Sequence, residues 1–269
     1  MKHEQLKNEV RDYWNRASCG TEVTHKEKFS GEYFQEIENY RYRIEPEIMA
    51  FAQFSRFHDK KVLEVGVGAG TDFMQWVRSG AHASGVDLTN EAIENVTYRL
   101  AFEGLQAHSL QVADAEALPF ADNQFDLVYS WGVIHHSPNT EQCLKEIVRV
   151  AKPGAHIKIM IYHRFSLFSY YQWLRSALLK GKPFQSLSRV LYYHQESIST
   201  KAYSFKEAQR MIAKYSVDLV SIKAPVTQHD LLFYKSGMWR LLAYCTACIL
   251  GWNRSGWFMM IELKKRTIE

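Results

Sequence analysis

Residues 62–72 read Val-Leu-Glu-Val-Gly-Val-Gly-Ala-Gly-Thr-Asp, a short apolar run that ends in a glycine-rich turn. Gly66, Gly68 and Gly70 lack the Cβ atoms that would obstruct a tight strand-to-helix turn and the close approach of a ligand to the backbone. The free N–H groups at the start of the following helix would face that ligand. The stretch therefore predicts the first strand, loop and helix of a parallel α/β domain with a ligand at the carboxyl ends of its strands.

The spacing of these glycines and the position of one carboxylate restrict the class of ligand that the loop can bind. Dinucleotide-binding loops have the pattern G-x-G-x-x-G, whereas here the third glycine comes one residue earlier. Glu64 lies two residues before the first glycine, and a desolvated carboxylate there would repel a diphosphate but attract a primary ammonium group. We therefore expect a ligand that has an ammonium group and no phosphate.

Later segments fit the same domain. Asp87 ends a predicted strand at 82–87 and lies 17 residues after the last loop glycine, where an acidic residue can accept hydrogen bonds from both hydroxyls of a ribose. Three further segments follow in the expected order. They are a loop that could contact the ligand at 112–120, a fourth strand at 125–130, and a helix with a Pro-Gly turn at 144–154. Each has a plain structural alternative, such as a helix cap or a turn, but their order favours one binding domain.

The chain resembles the class I S-adenosylmethionine-dependent methyltransferases, and within them a small-molecule group, in its G-x-G-x-G loop, its Asp-Ala-x-x-Leu-Pro-Phe segment at 114–120 and its His-His pair. The resemblance implies S-adenosylmethionine as cofactor and S-adenosylhomocysteine as product. It also implies that Asp114 accepts a hydrogen bond from the adenine amine and that the Ala115 N–H donates to the ring. The residues expected to contact the cofactor are Glu64, Gly66, Gly68, Gly70, Asp72, Asp87, Leu88, Asp114, Ala115, Ser130 and Trp131.

Short apolar runs that alternate with amphipathic stretches predict a Rossmann-like α/β fold, with a seven-stranded, mostly parallel sheet and helices on both faces. We expect strands near 61–65, 82–87, 107–112, 125–130, 155–162, 217–223 and 257–264. In the resembled family the last two form an antiparallel hairpin. The predicted units are a helical lid at 1–58, a cofactor-binding core at 59–164, a cap insertion at 165–202, and a C-terminal part of the core at 203–269 with a second insertion at 225–256.

Methyl transfer is an in-line displacement at carbon, so most of the catalytic effect comes from positioning, and a base helps only if the nucleophile still carries its proton. Candidate catalytic residues are His135 and His136 after the fourth strand and Tyr162 and His163 after the fifth. Local packing is the alternative for each of them. The candidate substrate residues, for which packing or a solvated helix face is the alternative, are Tyr33, Arg41, Tyr42, Arg43, Arg164 and His194.

Composition restricts the other function classes. A net charge of +4, with no basic run longer than residues 264–266, does not call for a nucleic-acid partner. The N-terminal residues lack the apolar core of a signal peptide, so we expect a cytoplasmic protein. The apolar stretch 241–252 is too short to span a bilayer, although peripheral membrane contact stays open. No acidic triad suggests a metal site, and the four cysteines do not suggest a disulfide framework.

These observations favour a methyltransferase that acts on an O or N nucleophile of a small molecule, with an activated carbon as a further option. Two alternatives stay open. The apolar segment 231–252 would suit a membrane-associated methyltransferase of a lipid, quinone or lipid-linked glycan. The cofactor loop alone would also suit a non-catalytic protein that binds S-adenosylmethionine.

Overall fold

The computed structural model describes residues 2–16, 18, 20–197, 199–231 and 237–267. The strands of the described chain are β1 Lys61–Val65, β2 His82–Asp87, β3 Ser109–Val112, β4 Phe125–Trp131, β5 Ala151–His163, β6 Ala202–Tyr203, β7 Val217–Lys223 and β8 Phe258–Lys265. They form one sheet in the order β3-β2-β1-β4-β5-β8-β7, and β6 pairs with β5. All pairings are parallel except those of β8 with β5 and β7.

The helices of the described chain are α1 Lys2–Arg16, α2 Gly31–Ile44, α3 Glu47–Ala52, α4 Thr71–Arg78, α5 Asn90–Glu103, α6 Thr140–Val150, α7 Leu167–Ser176, α8 Leu187–His194, α9 Phe205–Ile212 and α10 Met238–Leu250. Local sequence accounts for many of their ends. The Thr89 side chain accepts a hydrogen bond from the Ala92 N–H and begins α5, and Gly104, at φ 64°, ends it. Ser204 and Glu207 form a reciprocal capping box that begins α9.

Two apolar layers cover the two faces of the sheet. One contains Val62 of β1 with the aromatic side chains of α4, including Trp76. The other contains Leu63 of the same strand with Leu144 and Ile147 of α6. Successive residues of β1 thus enter opposite layers, as the pleat of a strand requires. The sheet is buried on both sides, which leaves its carboxyl edge as the place for a ligand.

The prediction of a Rossmann-like, mostly parallel sheet that ends in an antiparallel pair is confirmed. The predicted count of seven strands is wrong, because β6 adds an eighth at the end of the cap insertion. β6 has only two residues, too few for any periodic signal. The fifth strand is also longer than expected: it begins at Ala151 and runs through Gly154, at φ 79°, with a register shift against β4.

The two inserted segments are mainly helical. The first, after β5, contains α7 and α8, and the second, between β7 and β8, contains α10. The two segments contact each other, for example through Tyr171 of α7 and Trp239 of α10, whose ring centroids are 5.1 Å apart. Within the described residues, no helix combines the length and apolarity needed to cross a bilayer.

Candidate functional site

A cavity of about 410 Å³ lies at the carboxyl ends of β1, β2 and β4. Its walls include the glycine-rich loop, residues of α1 and α2, and the segments that follow β2, β3 and β4. The residues predicted to contact a cofactor that line it are Glu64, Gly66, Gly68, Asp72, Asp87, Leu88, Asp114, Ala115 and Trp131. The fold therefore brings together residues that are up to about 70 positions apart in the chain.

The three loop glycines have positive φ angles but different surroundings. A Cβ atom on Gly66 would lie 2.2 Å from the Val133 side chain, and one on Gly70 would lie 2.8 Å from Val96. Gly66 and Gly70 are therefore required by packing of the loop itself. A Cβ on Gly68 would meet nothing within 4 Å, and this residue lines the cavity. Gly68 thus keeps space open beside the backbone for a ligand.

An acidic pair lies beneath the loop. Glu64 is buried, and its Oε2 atom has no hydrogen-bond partner among the described residues. Burial, and after it the nearby Asp72 carboxylate, raise the pKa of Glu64 well above its ordinary value. Asp72 itself accepts hydrogen bonds from Tyr129 at 2.8 Å and Tyr42 at 3.1 Å, and Arg41 lies 3.5 Å away. The unpaired oxygen of Glu64 would be satisfied by a cationic ligand.

The Asp87 carboxylate is held at the end of β2 by backbone and side-chain donors. Its Oδ2 accepts from the Gly68 N–H at 3.1 Å, and its Oδ1 accepts from the Thr89 N–H at 3.0 Å and hydroxyl at 2.8 Å. Burial raises the pKa of Asp87 above its ordinary value, against the opposing effect of these donors. A rigid carboxylate that also borders the cavity is suited to accept hydrogen bonds from vicinal hydroxyl groups.

Helix α1 closes one side of the cavity through ion pairs. Lys7 donates to Asp114 at 2.6 Å and lies 3.1 Å from Glu116, and His3 lies 2.8 Å from Glu116. Burial alone would raise the pKa of Glu116, but hydrogen bonds from Ser137, His3 and Lys7 outweigh it and lower the pKa to about 2. These pairs fix the N-terminal helix against the segment predicted to bind adenine.

A second polar group lies on the side of the cavity beyond β4. The Trp131 indole donates to Glu45 at 2.7 Å, and Arg41 and His229 lie 3.4 Å and 3.7 Å from the same carboxylate. Burial would raise the pKa of Glu45, but Arg41 and His229 outweigh it and lower the pKa. Trp131 is thus oriented by a carboxylate from the N-terminal helical segment.

The third polar group contains the only carboxylate of the first inserted segment, Glu196. The Tyr162 hydroxyl donates to Glu196 at 2.9 Å, and His136 Nε2 lies 3.3 Å from it. His136 Nδ1 lies 3.0 Å from the hydroxyls of Ser197 and Thr200. Tyr162, His136 and Glu196 all line the cavity. Such a carboxylate, histidine and phenol in one group can accept or relay a proton.

Apolar and aromatic side chains complete the wall between these polar groups. They are Met160, Phe168, Trp257 and Phe258. Tyr162 stacks on Trp257 with ring centroids 4.1 Å apart. This half of the cavity would therefore suit a small molecule with apolar or aromatic character.

Two of the predicted catalytic histidines do not line the cavity. His135 is buried with its ring centroid 3.9 Å from Tyr162, and burial holds its pKa well below the ordinary value. His163 Nδ1 lies 3.1 Å from the Gly256 carbonyl oxygen, and burial lowers its pKa to about 4. Because successive strand residues point to opposite faces, Tyr162 faces the cavity and His163 points away from it. The structure thus leaves His136 and Tyr162 as catalytic candidates.

Two arginines predicted to bind substrate also form contacts elsewhere. Arg164 donates to the Ala202 carbonyl oxygen at 2.9 Å and pairs with Glu207 at 3.0 Å, so it joins β5 to β6 and α9. Arg43 packs its guanidinium 5.5 Å from the ring centroid of Tyr40. Neither arginine lines the cavity, whereas Arg41 does.

The remaining predicted residues contribute to the framework. Tyr33 donates to Asn95 at 3.1 Å and joins α2 to α5, and Ser130 donates to the Val65 carbonyl oxygen at 2.9 Å between β4 and β1. His194 is exposed at the end of α8. None of the three lines the cavity. Tyr42 does not line it either, but its hydroxyl contacts two lining residues, the Thr71 carbonyl oxygen and the Asp72 carboxylate, each at 3.1 Å.

Comparison with known proteins relates part of the chain to methyltransferases. Residues 63–159 match a family model described as a methyltransferase domain. The chain is 39% identical over 109 residues to the chloroplastic tocopherol O-methyltransferase of Arabidopsis thaliana, a match that covers 39% of this chain and 31% of that protein. It is 33% identical over 128 residues to the ajmaline N-methyltransferase of Rauvolfia serpentina, which covers 45% and 44%. The chain thus spans less than half the length of these curated relatives.

A solved structure extends the likeness of fold to nearly the whole chain. The geranyl diphosphate C-methyltransferase of Streptomyces coelicolor A3(2) superposes with a TM-score of 0.65 at 16% identity, over 98% of its chain and 97% of this one. At this identity the likeness concerns the fold alone. Residues 63–159 are therefore similar to a methyltransferase domain, and they lie within a chain that has the fold of a class I methyltransferase.

Proposed function

We propose that this protein is an S-adenosylmethionine-dependent methyltransferase that acts on an O or N nucleophile of a small, partly apolar molecule. The observation that carries the proposal is the buried Glu64 carboxylate, whose Oε2 has no hydrogen-bond partner among the described residues. It lies beneath an open glycine loop, one strand away from the fixed carboxylate of Asp87. The match of residues 63–159 to a methyltransferase domain supports the same function.

The residues of the loop side fit this cofactor. Glu64 would pair with its ammonium group, and Arg41, which also lines the cavity, would pair with its carboxylate. Asp87 would accept from the ribose hydroxyls, and Asp114 and Ala115 would contact adenine. Because the loop side presents the carboxylates of Glu64 and Asp87, a phosphate-bearing ligand fits less well.

When bound, S-adenosylmethionine supplies an electrophilic methyl group, and the residues on the far side of the cavity act on the acceptor. Trp131, held by Glu45, and the stacked rings of Tyr162 and Trp257 would orient an apolar acceptor. Glu196 would take the proton of a hydroxyl or protonated amine, with His136 and Tyr162 as its partners.

The polar groups of this half favour a neutral or cationic acceptor over an anionic one. Glu45 and Glu196 border the cavity together with aromatic rings, which attract cations through their faces. Two curated relatives are named for O- and N-methylation of other molecules, consistent with either acceptor atom. The cytoplasmic location and the absence of a nucleic-acid partner stay predictions from the sequence.

Turnover tests this proposal. The protein is incubated with S-adenosylmethionine labelled in its methyl group and a low-molecular-mass extract of the source cells. We expect S-adenosylhomocysteine together with a labelled product, and far less product with the Glu196→Gln variant. Tight binding of S-adenosylhomocysteine without turnover on any fraction would instead support a non-catalytic cofactor-binding protein.

A further inference from the structure

Helix α10 in the second inserted segment exposes most of its apolar side chains. The residues that it buries are Ala243 and Ala247, which pack with Leu167 and other apolar residues of the two insertions. On the opposite side, Met238 is 86% exposed, Leu241 65% and Ile249 82%. With Leu242 they recur at helical spacing, so they form one stripe along the helix. Exposed apolar residues grouped in this way are a feature of binding surfaces.

The first inserted segment adds a second exposed apolar group. In the link between α7 and α8, Leu179 is 75% exposed and Phe184 is 99% exposed. The Trp173 indole donates to the Gln185 carbonyl oxygen at 2.7 Å, which holds this link against α7. Because α7 also contacts α10 through Tyr171 and Trp239, both exposed groups belong to one pair of packed insertions.

The charge of these insertions is strongly one-sided. The two inserted segments, 165–202 and 225–256, contain eight Lys or Arg residues and two carboxylates, the cavity-lining Glu196 and the buried Asp230. The whole chain has 33 Lys and Arg and 29 Asp and Glu, so the rest of it is net acidic. Lys180 and Lys182 are exposed beside Leu179 and Phe184, and neither forms an ion pair with any described residue. Basic and apolar side chains thus alternate on the same exposed link.

We propose that α10 and the link at 178–184 form a docking surface for an anionic lipid membrane. Lipid headgroups of negative charge complement the lysines, and the acyl region accepts the apolar stripe. A second copy of the chain fits less well, because a two-fold contact would bring the same basic residues against each other. With 13 residues, α10 would lie along the membrane surface.

The docking surface adjoins the wall of the cavity. Leu167 packs with Ala243 and Ala247 of α10, and the next residue, Phe168, lines the cavity. Docking would therefore place the cavity near the membrane surface. This inference does not rest on the proposed methyl transfer, because binding to vesicles is measured without cofactor or substrate.

Flotation of the full chain with lipid vesicles tests the proposal. We expect binding to vesicles of phosphatidylglycerol and phosphatidylcholine, weakened by salt, and little binding to phosphatidylcholine alone. The triple change Leu241→Ser, Leu242→Ser and Ile249→Ser, and the double change Lys180→Glu and Lys182→Glu, should each lower the bound fraction at least about tenfold. The double change at Lys180 and Lys182 alters exposed residues of the link, so it still tests the proposal if the triple change in α10 prevents folding.

Matched variants elsewhere on the surface serve as controls. Val220→Ser changes an exposed apolar residue of β7, and the double change Lys206→Glu and Arg210→Glu alters two exposed cations of α9. Both should bind vesicles like the unchanged protein. Absence of binding to anionic vesicles, or equal loss in the controls, would overturn the proposal. A second result would also overturn the proposal. In that result the protein is a dimer in solution, the triple change at Leu241, Leu242 and Ile249 converts it to a monomer, and neither form binds vesicles.

Discussion

Replacement of Glu64 by Gln should weaken binding of S-adenosylhomocysteine without harming the fold. A glutamine at this position would keep the size of the side chain but remove the charge that pairs with an ammonium group. A hydrogen bond to a charged group contributes about 1.5–3 kcal/mol, so the dissociation constant should rise by roughly 10- to 150-fold. The unliganded protein should be at least as stable as before, because Glu64 Oε2 is buried without a partner among the described residues.

The pH dependence of the same variant gives a second test. The pKa of Glu64 is raised in the fold, so the folded state holds its proton more tightly than the unfolded chain does. Its contribution to stability is therefore lost as pH rises from the ordinary carboxyl pKa through the raised one. The free energy of unfolding of the Glu64→Gln variant should lack this decrease. When the pH is below the raised pKa of Glu64, cofactor binding to the unchanged protein should release a proton, because the carboxyl group must ionise to pair with the ammonium group.

Isothermal titration calorimetry with S-adenosylhomocysteine, in two buffers of different ionisation enthalpy, measures both effects. Methylthioadenosine, which lacks the ammonium group, should bind the variant and the unchanged protein equally well. Glu262→Gln, a partly buried carboxylate of β8 away from the cavity, serves as the control. Equal affinity of Glu64→Gln and unchanged protein for S-adenosylhomocysteine would refute the assignment of Glu64 to the ammonium group.

Three further changes have defined outcomes. Asp87→Asn should lower the affinity for S-adenosylhomocysteine at least about tenfold by calorimetry; unchanged binding would place the ribose elsewhere. Glu196→Gln should lower the rate of methyl transfer about 10²- to 10⁴-fold and leave cofactor affinity unchanged; a full rate would exclude Glu196 as the base. Burial lowers the pKa of Lys158 to about 8, so the unchanged protein should gain stability as pH rises from about 8 toward 10.5. The Lys158→Met variant should lack that gain in the free energy of unfolding measured with denaturant. If this free energy depended on pH identically in the variant and the unchanged protein, the prediction would be wrong.

The sequence predicted the parallel core well because its signals are local. The apolar side-chain pattern before Gly66 indicates a strand. The backbone preference of Gly104 indicates the end of helix α5. The strand at 202–203 was not predicted, because two residues have no period and pair only through the position of β5. Tertiary context created this element.

The residues on the loop side of the cavity could be predicted from the sequence, and those on its far side could not. Residues such as Glu64 and Asp87 lie at strand ends and in a spaced motif, so their place follows from topology. Glu196, Glu45 and His229 come from inserted or N-terminal segments whose position the local pattern does not specify. One signal was present for Glu196: it is the only carboxylate between residues 165 and 202, an otherwise basic and aromatic stretch.

The position of two candidate histidines outside the cavity has a simple geometric cause. Adjacent residues at a strand end point in opposite directions, so that Tyr162 and His163 cannot both face the cavity. The sequence identified the segment but not which of the two neighbours faces inward. The same ambiguity applied to His135 and His136, where only His136 lines the cavity.

The main proposal is that the glycine loop, with the carboxylates of Glu64 and Asp87, binds S-adenosylmethionine and not a phosphate-bearing ligand. Calorimetry of the unchanged protein with three ligands is the most direct test of this proposal. We predict a clear binding heat with S-adenosylhomocysteine and none with NAD⁺ or ATP at the same concentrations. Binding of NAD⁺ or ATP, with no heat from S-adenosylhomocysteine, would contradict the account.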